Sequence, residues 1–324
     1  MNKTVGYTLA FALALAAPAI GYPVFLMKLL CFALFACAFN LLIGFTGLLS
    51  FGHAAFFGSA GYVSGYLLRE RGLPLELALL AGVGTSALVG AGMGALAIRR
   101  QGIYFSMITL ALAQIVYFAA AHLPFTGGED GLQGIPRGKA LGILNLAVDL
   151  NLYYVVLALA IAGFALIVRT VHSPFGQVLK AIKENEARAI SLGYDVDKYK
   201  LLAFVLSAAL AGLAGAMNAL VQSSETLTDV YWGLSGLVIL MTLVGGMGTM
   251  VGPIVGAFII IALENKLGDL GAWLAAHTGV AWFSTLGEAV GMVTGLIFIA
   301  CVLLFRRGIV GELGAYVSGA RQAA

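Results

Sequence analysis

Between His172 and Lys200 the chain reads Ser173-Pro174-Phe175-Gly176 followed by QVLKAIKENEARAISLGY, and that order of residue types specifies helices built for contact. Ser173 is a helix N-cap, and Pro174 takes the first helical position, where its missing N–H costs nothing. From that start Phe175, Val178, Leu179 and Ile182 fall on one side, while Gln177, Lys180, Lys183 and Glu184 face elsewhere. A second short helix, Glu186 to Leu192, is stopped by Gly193 as its C-cap. Such a helix, with apolar anchors and a charged rim, does no covalent chemistry. Its physical work is contact, either with lipid headgroups or, seated in a groove, with a protein partner to which it transmits force.

The residue patterns of covalent chemistry are missing. No GxxxxGK[ST] occurs, and GGMGTMVG lacks the lysine that must reach the phosphates, so this chain is not expected to hydrolyse ATP by itself. Nor is there an HExxH, a GxSxG elbow or a mid-span pair of acids. His53, His122, His172 and His277 are far apart, and only His53 lies in a glycine-rich stretch, where a packed or cavity-facing role is expected. Cys31, Cys37 and Cys301 sit in apolar runs without a CxxC pair and read as packing residues, not metal ligands. The polar groups inside apolar runs carry more information: Asn40, Thr46, Ser50 and His53, then Ser106, Thr109 and Gln114, then Asn218 and Gln222. Each either bonds one helix to another or lines a passage.

The elements that must position these residues are membrane helices. Of 324 residues, 61% are hydrophobic and only 10% charged, against roughly 25% charged in a soluble domain, and the mean hydropathy is +0.99. A net charge of +3, scattered along the chain, makes no nucleic-acid face. The expected fold is an all-α integral membrane protein forming one domain over 1–324. About ten segments, some short or broken, run at 5–20, 24–43, 54–68, 77–98, 103–121, 151–170, 201–222, 233–245, 251–264 and 285–305. The first resembles a signal peptide in its Lys3 and Ala17-Pro18-Ala19, but a second apolar run begins at once at Val24, favouring an uncleaved helix.

With both termini cytoplasmic, twelve Lys and Arg residues fall on the cytoplasmic side and five on the other, as basic loops require. Loop 171–200 then lies inside. Loop 122–150, with PFTGGEDGLQGIPRG too rich in Gly and Pro for a long helix, lies outside with loop 223–232, which holds Glu225 and Asp229 but no Lys or Arg. The 43 glycines cluster in 40–65 and 233–256, and both stretches read as interrupted helices or close helix packing. Gly44 and Gly47 match Gly245 and Gly248 at a common offset of 201, a trace of internal duplication.

The stretch SPFGQVLKAIKENEARAISLGYDVDKYKLLAFVLSAALAGLAGA resembles the cytoplasmic EAA loop of ABC importer permeases, most closely those of the branched-chain amino acid permease family. NLLIGFTGLLSFGHAAFFGSAGY and FTGGEDGLQGIP are similar to that family too and point to its LivM-type subunit. The resemblance runs from about 30 to 305. It implies that Pro174 to Glu184, including Phe175, Gly176, Val178, Leu179, Ile182 and Lys183, form the coupling helix. It makes Ala187, Ala189 and Gly193 the loop's small-residue and glycine positions. Arg188 separates the two alanines, and Glu186 stands seven residues before Gly193 where the family has six, so no specific salt bridge from Glu186 to an ATPase follows.

The resemblance further implies a bacterial inner-membrane importer. Its other parts would be a second homologous permease, two ATP-binding cassette subunits holding ATP and Mg, and a periplasmic solute-binding protein, with no cofactor on this chain. The implied solutes are leucine, isoleucine and valine, or urea, short amides or aromatic acids. Burial of Phe175, Leu179 and Ile182 against the ATPase, about 1.5–3 kcal/mol each when fully covered, would carry the push. A stand-alone carrier or channel is the rival, weakened by the long basic loop and the lack of a buried ionisable pair. A membrane enzyme would need a catalytic constellation that the sequence lacks.

Overall fold

The computed structural model describes residues 14–19, 21–140, 142, 144–278 and scattered positions between 291 and 312. The long helices are α1 (Pro23–Phe45), α2 (His53–Glu70), α3 (Leu75–Ala97), α4 (Ile103–His122) and α5 (Asp149–His172). Two short helices, α6 (Pro174–Glu184) and α7 (Glu186–Ser191), lead into α8 (Val196–Gln222), α9 (Leu227–Val230), α10 (Trp232–Gly245) and α11 (Gly252–Thr278). Among the described residues five helices, α1, α3, α4, α5 and α8, are long and apolar enough to cross a membrane. The protein is an all-α, multi-pass membrane protein.

α1 and α8 form the centre, apolar all round because neighbours cover every side. α3, α4 and α5 turn Leu80, Leu88, Leu96, Ile115, Phe118 and Leu166 outward, where lipid is as good a solvent as protein. With no hydrophobic gain between helices in lipid, close approach holds the bundle, and small residues supply it. A Cβ on Gly215 would strike the Phe57 carbonyl, one on Gly212 the Ser86 side chain, and one on Gly256 the Met241 carbonyl. α8 thereby seats on α2 and α3, and α11 on α10.

Both glycine-rich stretches are broken helices, α1 giving way to α2 over 46–52 and α10 to α11 over 246–251. Gly47 and Gly248, 201 residues apart, adopt φ of +80° and +79°, a left-handed conformation that glycine reaches without penalty. The second break rests on α1: Asn40 Nδ2 donates to the Thr249 carbonyl at 2.9 Å and the Gly248 N–H donates to Asn40 Oδ1 at 2.9 Å. Two backbone groups of the unwound 246–251 segment are thus satisfied by one asparagine.

Two differences from the sequence reading stand out. The segment expected to end at 264 continues as α11 through Thr278, so Lys266, assigned to an outer loop, is helical and pairs with Asp269 at 3.0 Å. A few charged side chains interrupt hydropathy without interrupting helix, because an i,i+3 ion pair sits comfortably on a helix surface. The segments expected at 5–20 and 285–305 lie largely outside the described residues. Loop 122–150 is irregular as expected, with two 3₁₀ turns and two-residue strands β1 (Leu132–Gln133), β2 (Lys139–Ala140) and β3 (Leu144–Asn145). β1 pairs antiparallel with β4 (Ser224–Glu225), tying this loop to the α8–α9 connection.

Candidate functional site

The turn between α5 and α6 is set by its residues. Ser173 Oγ accepts the Gly176 N–H at 3.3 Å, and Gly176 lies so close to the Thr170 and Val171 carbonyls that a Cβ would strike both. Asn185 then caps α7 by accepting the Arg188 N–H at 3.0 Å, and Gly193, at φ +89°, ends it. Two short helices joined by one residue fold back along the end of the bundle.

Their apolar anchors point inward. Leu179 and Ile182 are buried, Ile182 in a small cluster with Ala189 and Val196, flanked by Val178 and Tyr199. Phe175 stacks on Tyr199 with ring centroids 5.6 Å apart. The anchors expected to meet a partner are therefore used within the chain, because the loop is short enough for α8 to cover the apolar side of α6 itself. Outward face Pro174, Gln177, Ala181, Glu184, Ala187 and Arg188, with Ile190 57%, Leu192 69% and Tyr194 40% exposed. Those three apolar residues at the far tip of the loop were missed in the sequence, where their spacing after α6 no longer follows one helical face.

Polar ties lock the loop to the bundle. Lys183 Nζ donates to the Gly44 carbonyl at 2.6 Å, at the C-terminal end of α1, where unpaired carbonyls favour a cation. Glu186 pairs with the buried Lys200 of α8 at 2.7 Å and accepts from Gln101 Nε2 at 2.8 Å, so its partners are intramolecular. Between loop and break lies a polar cavity of about 220 Å³ lined by Thr46, Gly47, Gln101, Lys183, Glu186 and Lys200. α6–α7 is thus tied to the end of α1, beside the α1–α2 break, and to α8.

The polar residues within the helices divide into two groups. Asn40 clamps the 246–251 break to α1, as described. Thr46 Oγ1 donates to the Leu41 carbonyl, Ser50 Oγ accepts the Gly52 N–H at 3.1 Å, Ser106 Oγ donates to the Leu49 carbonyl at 2.7 Å, and Thr109 Oγ1 accepts the Phe51 N–H at 3.1 Å. Ser50, Ser106 and Thr109 satisfy backbone groups of the 46–52 break, and Thr46 bonds back to the last turns of α1. His53 is fully buried among Phe39, Phe56 and Phe204. Ser207 Oγ donates to the Ala38 carbonyl at 2.6 Å, so His53 Nε2, at 2.9 Å, donates to Ser207 and leaves Nδ1 unpartnered. Asn218 is fully buried with both amide atoms unpartnered, Gln114 is half-buried, and Gln222 is exposed at the end of α8. Among these nine, His53 Nδ1, the Asn218 amide and the Gln114 and Gln222 amides have no side-chain partner, and of these Asn218 and Gln114 are the amides set within the helices. Two further buried groups without partners, the Glu225 carboxyl and the Tyr62 hydroxyl, were read in the sequence only as an orientation signal and an apolar-run residue.

Comparison with known proteins matches this architecture to one family, whose model, branched-chain amino acid transport system / permease component, aligns with residues 23–302. The chain belongs to that family. Among its relatives, the high-affinity branched-chain amino acid transport system permease protein LivM of Salmonella typhimurium is 28% identical over 254 residues, 71% of this chain and 60% of the relative. A LivH protein of Methanocaldococcus jannaschii, described as a probable branched-chain amino acid transport permease, is 30% identical over 62% of this chain and 56% of its own. The ribose import permease protein RbsC of Bacillus subtilis is 29% identical over 60% and 58%. The chain spans about 60% of the length of the LivM relatives it matches.

Proposed function

We propose that this chain is the transmembrane permease subunit of an ATP-driven ABC importer in a bacterial inner membrane, carrying branched-chain or related amino acids. The observation that carries the proposal is the α6–α7 loop, which presents Ile190, Leu192 and Tyr194 outward while Lys183 and Glu186 tie it to the α1–α2 break and to α8. A loop free to dock on its outer side and fixed on its inner side can pass a mechanical push into the bundle. The relatives named for branched-chain amino acids support the substrate class, and the ribose permease relative supports an importer scaffold shared by several solutes.

In this reading ATP and Mg bind to separate cassette subunits, and this chain supplies no catalytic group. Closure of the cassettes presses on the exposed tip of the loop. α6 continues directly from α5 through Ser173, and the Glu186–Lys200 pair makes α8 follow. α8 lies at the centre of the bundle and α5 packs against α1 beside it, so their rotation opens and closes the passage at the breaks. A second permease subunit completes that passage, and a solute-binding protein delivers the solute, so selectivity resides there while Asn218 and Gln114 offer hydrogen bonds without holding the solute tightly. The same geometry would serve urea, amides or aromatic acids.

The test is purification of the tagged chain in mild detergent. An ATP-hydrolysing subunit in stoichiometric amount supports the reading; a chain that comes alone yet catalyses uptake in proteoliposomes makes it a carrier. The ligand held by the associated solute-binding protein then identifies the solute.

A further inference from the structure

Glu225 lies in β4, after the last residue of α8, at the end of the bundle opposite the α6–α7 loop. It is fully buried, and neither carboxyl oxygen has a hydrogen-bond partner. Its carboxyl rests on Gly61 of α2, where any Cβ would run into it. β4 pairs with β1 on the other side, Leu132 opposite Glu225. Five residues on, Val230 of α9 rests in the same way on Gly58, so the Ser224–Val230 segment lies flush on α2 across two glycines.

Among the described residues no cation faces Glu225. On α2 the neighbouring titratable group is Tyr62, buried and itself without a hydrogen-bond partner, and close enough that a negative charge on Glu225 or Asp229 would act on it. Tyr117 of α4 acts on Tyr62 from beyond. On α9 the only one is Asp229, whose Oδ2 accepts from the Thr226 N–H and hydroxyl. α8 carries its ionisable residues in its first turn, at the other end, and β1 carries none. The turn before β1 holds Glu129 and Asp130, both exposed; Arg69 is engaged by the Gln133 carbonyl and Glu70, and Arg137 by Asp149 and the Val221 carbonyl. A carboxylate with no solvent exposure and no protein donor is far too costly to persist, and the group binds a proton instead.

We propose that Glu225 is a proton-binding latch: it holds a proton while Ser224–Val230 lies on α2, and gives that proton to water at this end of the bundle when the segment lifts. Burial, reinforced by the negative Asp229, pushes its carboxyl well above the ordinary 4.5. The sign follows: closure takes up a proton, so closure is fully favoured below the ordinary value and weakens as pH rises toward the raised one. Acidity holds this end shut. The inference stands on the packing of this chain and is independent of what the bundle transports.

The test uses the full-length chain in lipid nanodiscs with Cys31, Cys37 and Cys301 replaced by alanine. Buried Val230→Cys and exposed Thr228→Cys are reacted separately with a methanethiosulfonate reagent, and the ratio of their rates cancels the pH dependence of the thiol itself. With Glu225 present the ratio should rise about tenfold per pH unit in the window above 4.5, and with Glu225→Gln it should stay at its low-pH value. A flat ratio with native Glu225, or an unchanged slope with Glu225→Gln, overturns the proposal. Infrared titration of the native chain provides a second readout: a buried carboxylic acid band must disappear over the same pH range in which Val230→Cys becomes reactive, and its absence at low pH equally overturns the latch.

Discussion

The Glu186–Lys200 pair makes an asymmetric prediction about the loop. The Lys200 side chain is 3% exposed and has no acceptor but Glu186, whereas Glu186 is 25% exposed and has a second donor in Gln101. Glu186→Ala therefore leaves an ammonium buried without a counter-charge, a change that typically costs about 3–5 kcal/mol. The polar cavity beside it admits water, which puts the expected loss near the low end, about 3 kcal/mol. Lys200→Met removes the buried charge and fills its volume, while Glu186 keeps its bond from Gln101 and turns to solvent; losing one charge-assisted hydrogen bond costs about 1.5 kcal/mol. Combining Lys200→Met with Glu186→Ala should cost about as much as Lys200→Met alone, since no unpaired charge remains. Reversible denaturation of the purified chain in detergent, followed by tryptophan fluorescence, measures all three. If Glu186→Ala is no worse than Lys200→Met, or the double variant is the sum of the singles, the pair does not lock the loop to α8.

Asn40→Ala strips the Gly248 N–H and Thr249 carbonyl of their partner and should cost about 1–3 kcal/mol for each group left unpaired, read as a lower unfolding midpoint. Leu179→Ala should destabilise the chain by about 2–5 kcal/mol, because Leu179 is fully buried, while Ile190→Ala should leave the midpoint unchanged within about 0.5 kcal/mol. Gly215→Ala forces α8 away from the Phe57 carbonyl and should cost about 1–3 kcal/mol, whereas the same change at Gly92, which faces open space, should slightly stabilise its helix. Gly47→Ala, at φ +80°, should cost about 1–2 kcal/mol through backbone strain, measured in the same way.

Much of this architecture is written in local chemistry. Ser173-Pro174 announces the start of α6 and Gly193 the end of α7, because caps act through the nearest few residues. The two breaks announce themselves through glycine density, and the matching φ of Gly47 and Gly248 gives structural substance to the offset of 201. What the sequence could not show is which side of an amphipathic helix is already covered. The apolar side of α6 reads as a docking face until Leu179 is seen to be buried and Ile182 to pack with Val196 of α8, and the outward residues Ile190, Leu192 and Tyr194 become visible only then. Polar residues in apolar runs carry the same ambiguity: Ser106 and Thr109 bond to unwound backbone more than fifty residues away, and no local pattern distinguishes them from Asn218, whose amide is free. Glu225 lies outside every apolar run, and its burial depends on two glycines of α2.

The central claim is that the tip of the α6–α7 loop is where a cassette ATPase docks. Affinity purification of the chain carrying both Ile190→Asp and Leu192→Asp, compared with the native chain at equal expression and equal unfolding midpoint, tests it most directly. The native chain should bring an ATPase in stoichiometric amount and the double variant should lose it; equal recovery from both, or from neither, would contradict the assignment.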